Sequence, residues 1–210
     1  MTTIYVVEDD PSVRKGVGRL LKSAGYSAEM FATAEEFLER GVSSGPGCLV
    51  LDVQLPKLNG LDLQRALLGT ARLLPIIFIS GHSDIPTSVR AMKNGAVDFL
   101  PKPFKAQDLL CGIRAALERS CLEHKEKLEA DAIRKRLMRL TPREHEVMCG
   151  VVAGKMNKQI AAELGVGEKT VKVHRGRVME KMEADSVAEL VLLSERVGVI
   201  SAPIHNLSGS

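Results

Sequence analysis

Three short apolar runs in the first half of the chain lead straight into polar residues. Ile4-Tyr5-Val6-Val7 runs into Glu8-Asp9-Asp10, and Leu49-Val50-Leu51 into Asp52. Ile76-Ile77-Phe78-Ile79 ends at Ser80, and a further strand segment, Val97–Leu100, is followed after Pro101 by Lys102-Pro103. Uninterrupted runs this short read as strands buried on both faces. Between them the apolar period changes to that of a helix. Pro11 opens one such stretch, with Val13, Val17, Leu20 and Leu21 on a stripe. Thr33–Leu38 begins another, with Thr33 as N-cap and Glu36 three residues on. Leu61–Leu68 and Asp84–Asn94 are helical, the second stopped by Gly95, and a last helix starts near residue 105. With Ser27–Phe31 as a weaker strand, five strands alternate with five helices. That order predicts an α/β doubly wound, five-stranded parallel sheet.

The chain then changes character. Ser120–Arg139 is charged and holds neither proline nor glycine, so it is expected to continue the preceding helix as a helical linker. From Thr141 to about Arg196 the pattern is purely helical, broken at Gly154 and Gly165. The expected division is 1–119, an α/β domain; 120–139, the linker; 140–200, an all-α domain; and 201–210, a frayed tail.

Composition narrows the setting. No apolar run approaches the ~18 residues a membrane helix needs, and the N-terminus lacks the features of a signal peptide. No membrane association is expected. Cys48, Cys111, Cys121 and Cys149 show no disulfide or metal spacing, which suits reduced thiols in the cytoplasm. Residues 1–120 carry 14 basic and 13 acidic groups, and residues 121–210 carry 15 and 13. Binding to nucleic acid must therefore come from local clustering of charge.

In an open parallel sheet, ligands bind outside the carboxyl ends of the strands. The polar residues above fall at four such ends. Grouped carboxylates repel one another and imply a cation, and oxygen-only ligands suit Mg²⁺. Asp52 can act as a nucleophile toward a phosphoryl group. Lys102 can neutralise the phosphoryl oxygens and the Ser80 hydroxyl can donate to one.

The segments Val6–Pro11, Leu51-Asp52 with Leu55-Pro56 and Gly60, Ile79–His82 and Gly95–Phe104 resemble the receiver domains of two-component response regulators. The resemblance covers about residues 3–120 and implies a flavodoxin-like receiver fold. It implies Asp52 as phosphoacceptor, metal ligation by Glu8, Asp9, Asp52 and the backbone carbonyl of Gln54, and a second-rank place for Asp10. Ser80 and Phe99 match the switch positions, and Lys102–Pro103 matches a bond that is cis in this family.

The second half carries the geometry of a helix-turn-helix: Ala161 as the small contact, Gly165 as the turn and Val171 as the apolar anchor. The next helix, Glu168 to about Met182, is basic on one face while Val171, Val178 and Met182 form an inward stripe. Leu140–Glu144, Asn157–Ala161 and Lys169–Arg175 resemble the LuxR-type DNA-binding domain. That implies four helices, the third lying in the major groove. Candidate DNA contacts are Lys169, Thr170, Lys172, Val173, His174, Arg175 and Arg177, with Asn157 and Lys158 on phosphates. Gly176 stands where a long side chain could reach DNA. Thr141 fits an N-cap, with Pro142 at the first helical position and Glu144 closing a capping box.

The whole chain resembles the NarL/FixJ class. This implies a phosphorylation-controlled transcription regulator, not an enzyme, with a histidine kinase and double-stranded promoter DNA as partners; phosphorylation is expected to change dimerisation, toward a homodimer, or the contacts between the domains, or both. An α/β phosphatase using Asp52 would want a second acid two residues on, where Gln54 stands. A constitutive DNA-binding protein with an inert receiver would not need the full set Glu8, Asp9, Asp52, Ser80 and Lys102.

Overall fold

The computed structural model describes residues 2–68, 74–81 and 85–199. His82, the expected helix start at Asp84 and the expected tail at 201–210 lie outside the described residues. The chain divides into two compact units, residues 1–125 and 126–210.

In the first unit, β1 (Thr3–Val7), β2 (Ala28–Phe31), β3 (Gly47–Asp52), β4 (Ile76–Ser80) and β5 (Asp98–Pro101) form a parallel sheet in the order β2-β1-β3-β4-β5. Alternation along each strand sorts the side chains onto two faces. Ile4, Val6, Cys48, Val50, Ile77 and Ile79 pack with α1 (Pro11–Ser23) and the first turns of α5 (Ala106–Leu137), through Val17, Leu21, Leu109 and Ile113. Tyr5, Val7, Leu49, Leu51 and Phe78 face α2 (Ala34–Arg40), α3 (Gly60–Leu68) and α4 (Ile85–Lys93). Both faces are covered, so the central strands β1, β3 and β4 read as continuous apolar runs. The strand order reverses between β1 and β3, which opens a crevice at their carboxyl ends.

Local caps explain several boundaries. Asp10 is the N-cap of α1, its Oδ1 accepting from the backbone N–H of Ser12 at 2.7 Å and Val13 at 3.2 Å. Thr33 caps α2 through the Glu36 amide, but the Glu36 carboxylate reaches back to the Ala32 N–H at 2.9 Å. The returning arm thus lands one residue before the cap.

The second unit contains α6 (Pro142–Val152), α7 (Asn157–Leu164), α8 (Glu168–Met182) and α9 (Val187–Arg196). The Thr141–Glu144 capping box forms in both directions. Gly165 ends α7 with φ 66°, the left-handed turn that glycine adopts without strain. Ile160, Ala161, Val171, Val178 and Met182 meet Val147, Met148 and Leu190 in one core.

The stretch expected as a linker is shared between the units. α5 runs through it to Leu137 without a break. Ser120 is buried in the first unit, its Oγ accepting from the Gly47 amide at 3.0 Å. Ile133 is buried in the core of the second, with Leu137 and Leu140 packed against it.

Candidate functional site

Glu8 and Asp9 follow β1 directly, Asp52 closes β3, and Lys102 follows β5. Parallel pairing of β1 with β3 puts the first three beside one another, and a ligand oxygen from each lies within 4.8 Å of the others. Glu8 and Asp52 are buried, and Asp9 is exposed. The Lys102 ammonium lies 2.7 Å from Asp52 Oδ2 and 2.6 Å from Glu8 Oε2. That oxygen of Glu8 is buried, and the Lys102 ammonium lies beside it.

The charges perturb one another. Burial pushes the Glu8 carboxyl up to about 7, against the lowering effect of the hydrogen bond with Lys102. Burial alone would lower Lys102, but its hydrogen bonds with Asp52 and Glu8 outweigh this and raise it. A buried carboxylate close to two others is the arrangement a hard cation relieves. The residues present therefore fit a divalent ion with oxygen ligands.

The backbone around the acids is held in place. The Arg14 guanidinium donates to the carbonyls of Glu8 at 2.7 Å and Asp9 at 3.0 Å. Asp52 Oδ1 accepts from the Gln54 amide at 2.9 Å. A β-carbon on Gly60 would collide with the Asp52 carbonyl oxygen, so only glycine lets α3 start this close to Asp52. Asp10 spends its Oδ1 on capping α1. Ser80 is buried at the end of β4, and its carbonyl accepts from the Lys102 amide at 2.7 Å. Phe99 is half-buried on β5, its ring centroid 6.2 Å from that of Phe78. The Lys102–Pro103 bond is cis.

On the second unit, α8 buries Val171, Val178 and Met182. Lys169, Thr170, Lys172, Val173, Gly176 and Arg177 are exposed. His174 and Arg175 are half-buried on the flanks of the inward stripe. Arg175 donates to Asn157 Oδ1 at 3.1 Å, and His174 Nδ1 is shielded from water without a hydrogen-bond partner. Lys158 is exposed on α7. Lys181 reaches Glu144 Oε2 at 2.6 Å, and this pair, led by the Lys181 hydrogen bond, draws the Glu144 carboxyl down to about 2.

Nothing local in the sequence marks Arg14 or Lys181 as a support of these sites, and the motif that holds Gly60 does not by itself give its role. A glycine four residues beyond Leu55-Pro56 was legible, but the partners of the two cations were not.

Residues 4–114 match the family model of the response regulator receiver domain, and residues 138–194 that of bacterial regulatory proteins of the luxR family. Nodulation protein W of Bradyrhizobium diazoefficiens is 47% identical over 196 residues, covering 93% of this chain and 86% of that protein. The transcriptional regulatory protein FixJ of the same organism is 40% identical over 204 residues, covering 96% and 100%. Among solved structures, the response regulator StyR aligns with a TM-score of 0.83 at 45% identity, over 93% of this chain and 98% of its own. Full-length FixJ from B. japonicum aligns with a TM-score of 0.56 at 40% identity, over 94% and 98%. With both modules matched in order, and relatives aligned over nearly its whole length, the chain belongs to the NarL/FixJ class of two-component response regulators, transcription regulators that join a receiver to a LuxR-type DNA-binding domain.

Proposed function

We propose that Asp52 is the residue through which a histidine kinase controls DNA binding by this protein. The observation that carries the reading is the convergence of Glu8, Asp9, Asp52 and Lys102 at the strand ends where the order of the sheet reverses. In the proposed step a carboxylate oxygen of Asp52 attacks the phosphorus of a phosphohistidine. A P–O bond forms, the P–N bond breaks, and the imidazole leaves with the electron pair. Lys102 offsets charge on the phosphoryl oxygens. Glu8, Asp9, Asp52 and the Gln54 carbonyl would hold Mg²⁺, which when bound supplies the remaining positive charge. The chain is itself the acceptor and turns over no external substrate.

The Ser80 hydroxyl then turns toward the phosphoryl group, and Phe99 swings into the space beside it. This changes the surface around α4 and β5, and two phosphorylated copies pair there. A dimer presents two α8 helices to two half-sites. Lys169, Thr170, Lys172, Val173 and Arg177 read the groove from the exposed face. Asn157 and Lys158 meet phosphates, and His174 and Arg175 act from the flanks. Four free thiols support a reducing cytoplasm as the site of action. Among the described residues, no helix is long and apolar enough to cross a membrane.

Labelling with a small phosphodonor tests the acceptor. Wild-type protein should gain an acid-labile phosphoryl group and Asp52→Asn should gain none, with its fold intact by circular dichroism. Equal labelling of the variant would move the acceptor elsewhere.

A further inference from the structure

The C-terminal end of α8 is clamped by a residue that precedes the luxR-family match. Arg136, on α5, donates through Nη1 to the carbonyl oxygen of Met182 at 3.3 Å, and its Nη2 lies 2.6 Å from Glu183 Oε2. Met182 is the last residue of α8, and Glu183 is its C-cap in the left-handed conformation, φ 54°. A non-glycine residue adopts that conformation only when its surroundings hold it there. The two neighbouring carbonyls are already satisfied: Glu180 O accepts from the Glu183 amide at 3.1 Å and Met179 O from the Ala184 amide at 3.0 Å. The guanidinium thus takes one of the carbonyls that a helix end leaves without a partner. It also sets a positive charge at the negative end of the helix dipole.

The rest of that α5 segment is fastened to the same unit. Ile133 is 3% exposed, in the core that holds Val171, Val178 and Met182. Glu129 pairs with Arg196 of α9 at 3.0 Å. These three residues fall in the stretch whose composition suggests a mere linker, and the luxR-family match begins only at residue 138.

We propose that the C-terminal turns of α5 are part of the DNA-reading module, with Arg136 as the positioning residue that fixes α8 against the groove. The inference rests on the reading of α8 as the recognition helix. The N-terminal end of α8 is set by the turn at Gly165, and its inner stripe is held in the core by Val171, Val178 and Met182. Lys181 on Glu144 and Arg136 on the C-cap fix the other end. The exposed residues Lys172, Val173 and Arg177 then approach the bases at a defined angle. Arg suits this place better than Lys, because its planar fork reaches the carbonyl and the carboxylate together.

The test uses the full chain and a DNA duplex that the wild-type protein has enriched from a random-sequence pool. Arg136→Ala should bind this duplex about two- to thirty-fold more weakly, the range for substitutions that act on a site without touching its ligand. Arg136→Lys, which keeps the charge and loses the fork, should fall between. Amide exchange should quicken at Glu183 and Ala184 while Val147 and Val151 of α6 keep their protection. Wild-type affinity in folded Arg136→Ala, or in Arg136→Lys should the alanine variant not fold, would overturn the proposal. So would exchange that quickens equally throughout the unit, since Arg136 would then only hold the domain together. Lys172→Ala separates the two levels. If it binds as wild type, the recognition-helix reading has failed. If it weakens binding and the Arg136 variants do not, only the positioning role has failed.

Discussion

The Lys102 ammonium lies 2.7 Å from Asp52 Oδ2 and also 2.6 Å from Glu8 Oε2, so one cation from beyond β5 spans carboxylates from two other strand ends. Removing it takes the ion-pair partner from two buried acids, and with it a positive charge placed to offset an incoming phosphoryl group. Lys102→Ala should slow phosphoryl incorporation on Asp52 by about tenfold or more at fixed Mg²⁺. The check is the rate of labelling by a small phosphodonor. An unchanged rate would remove Lys102 from the chemistry.

The site gives the receiver a distinctive pH dependence without metal. Burial raises the Glu8 carboxyl from 4.5 to about 7. A group whose folded value is raised contributes stability that is full below its unfolded value and is lost as pH rises through the folded one. In chelator the receiver should therefore lose stability between about pH 4.5 and 7, and Glu8→Gln should flatten that slope. Tyr5 and Tyr26 both lie in the first unit, so tyrosine fluorescence during denaturation follows this half alone. The same slope in the variant would assign it to another group.

The second unit has the opposite sign. Glu144 is drawn down from 4.5 to about 2, first by the Lys181 hydrogen bond. Its contribution is present above the unfolded value and is lost as pH falls from about 4.5 toward 2. Glu144→Gln should shrink the acid-side loss. Lys181→Ala leaves a carboxylate that is 2% exposed with the Thr141 amide but without its cation, and should cost about 1–3 kcal/mol. Amide exchange at Val147 and Val178 reads this unit directly.

Gly176 offers a gain. It sits inside α8, exposed, and an added β-carbon would meet nothing within 4 Å. Gly176→Ala should stabilise the second unit by about 0.5–1 kcal/mol in denaturant. Gly176→Lys should strengthen DNA binding and steepen its salt dependence by about one counterion. No change in the salt slope would mean that this face of α8 looks away from the duplex.

Sequence carried the strand ends and the caps well, because the signals are local. Glu8 and Asp52 each follow an apolar run directly, with Asp9 the next residue after Glu8, and Thr141, Pro142 and Glu144 write one cap within four residues. Where a long, flexible cation finds its partner is a different matter. Arg14 reaches back to the carbonyls of Glu8 and Asp9, Lys181 crosses to Glu144, and Arg136 caps a helix 46 residues away. No periodicity encodes those choices, which are settled only when the helices pack. Asp10 shows a local ambiguity of another kind. A carboxylate beside an acidic pair can serve a metal or a helix end, and here it serves α1. The composition of 120–139 foretold a helix, but not that Ser120 and Ile133 would be buried in different cores.

On the proposed function, the state of Asp52 sets the affinity for DNA. The most direct measurement is the binding of the full chain to genomic fragments with and without a small phosphodonor and Mg²⁺, for the wild type and Asp52→Asn side by side. The donor should tighten wild-type binding by about five- to 150-fold, the usual span of coupling between two sites, and leave the variant unmoved. An equal response in Asp52→Asn, or no response in wild-type protein whose Asp52 is fully labelled, would contradict it.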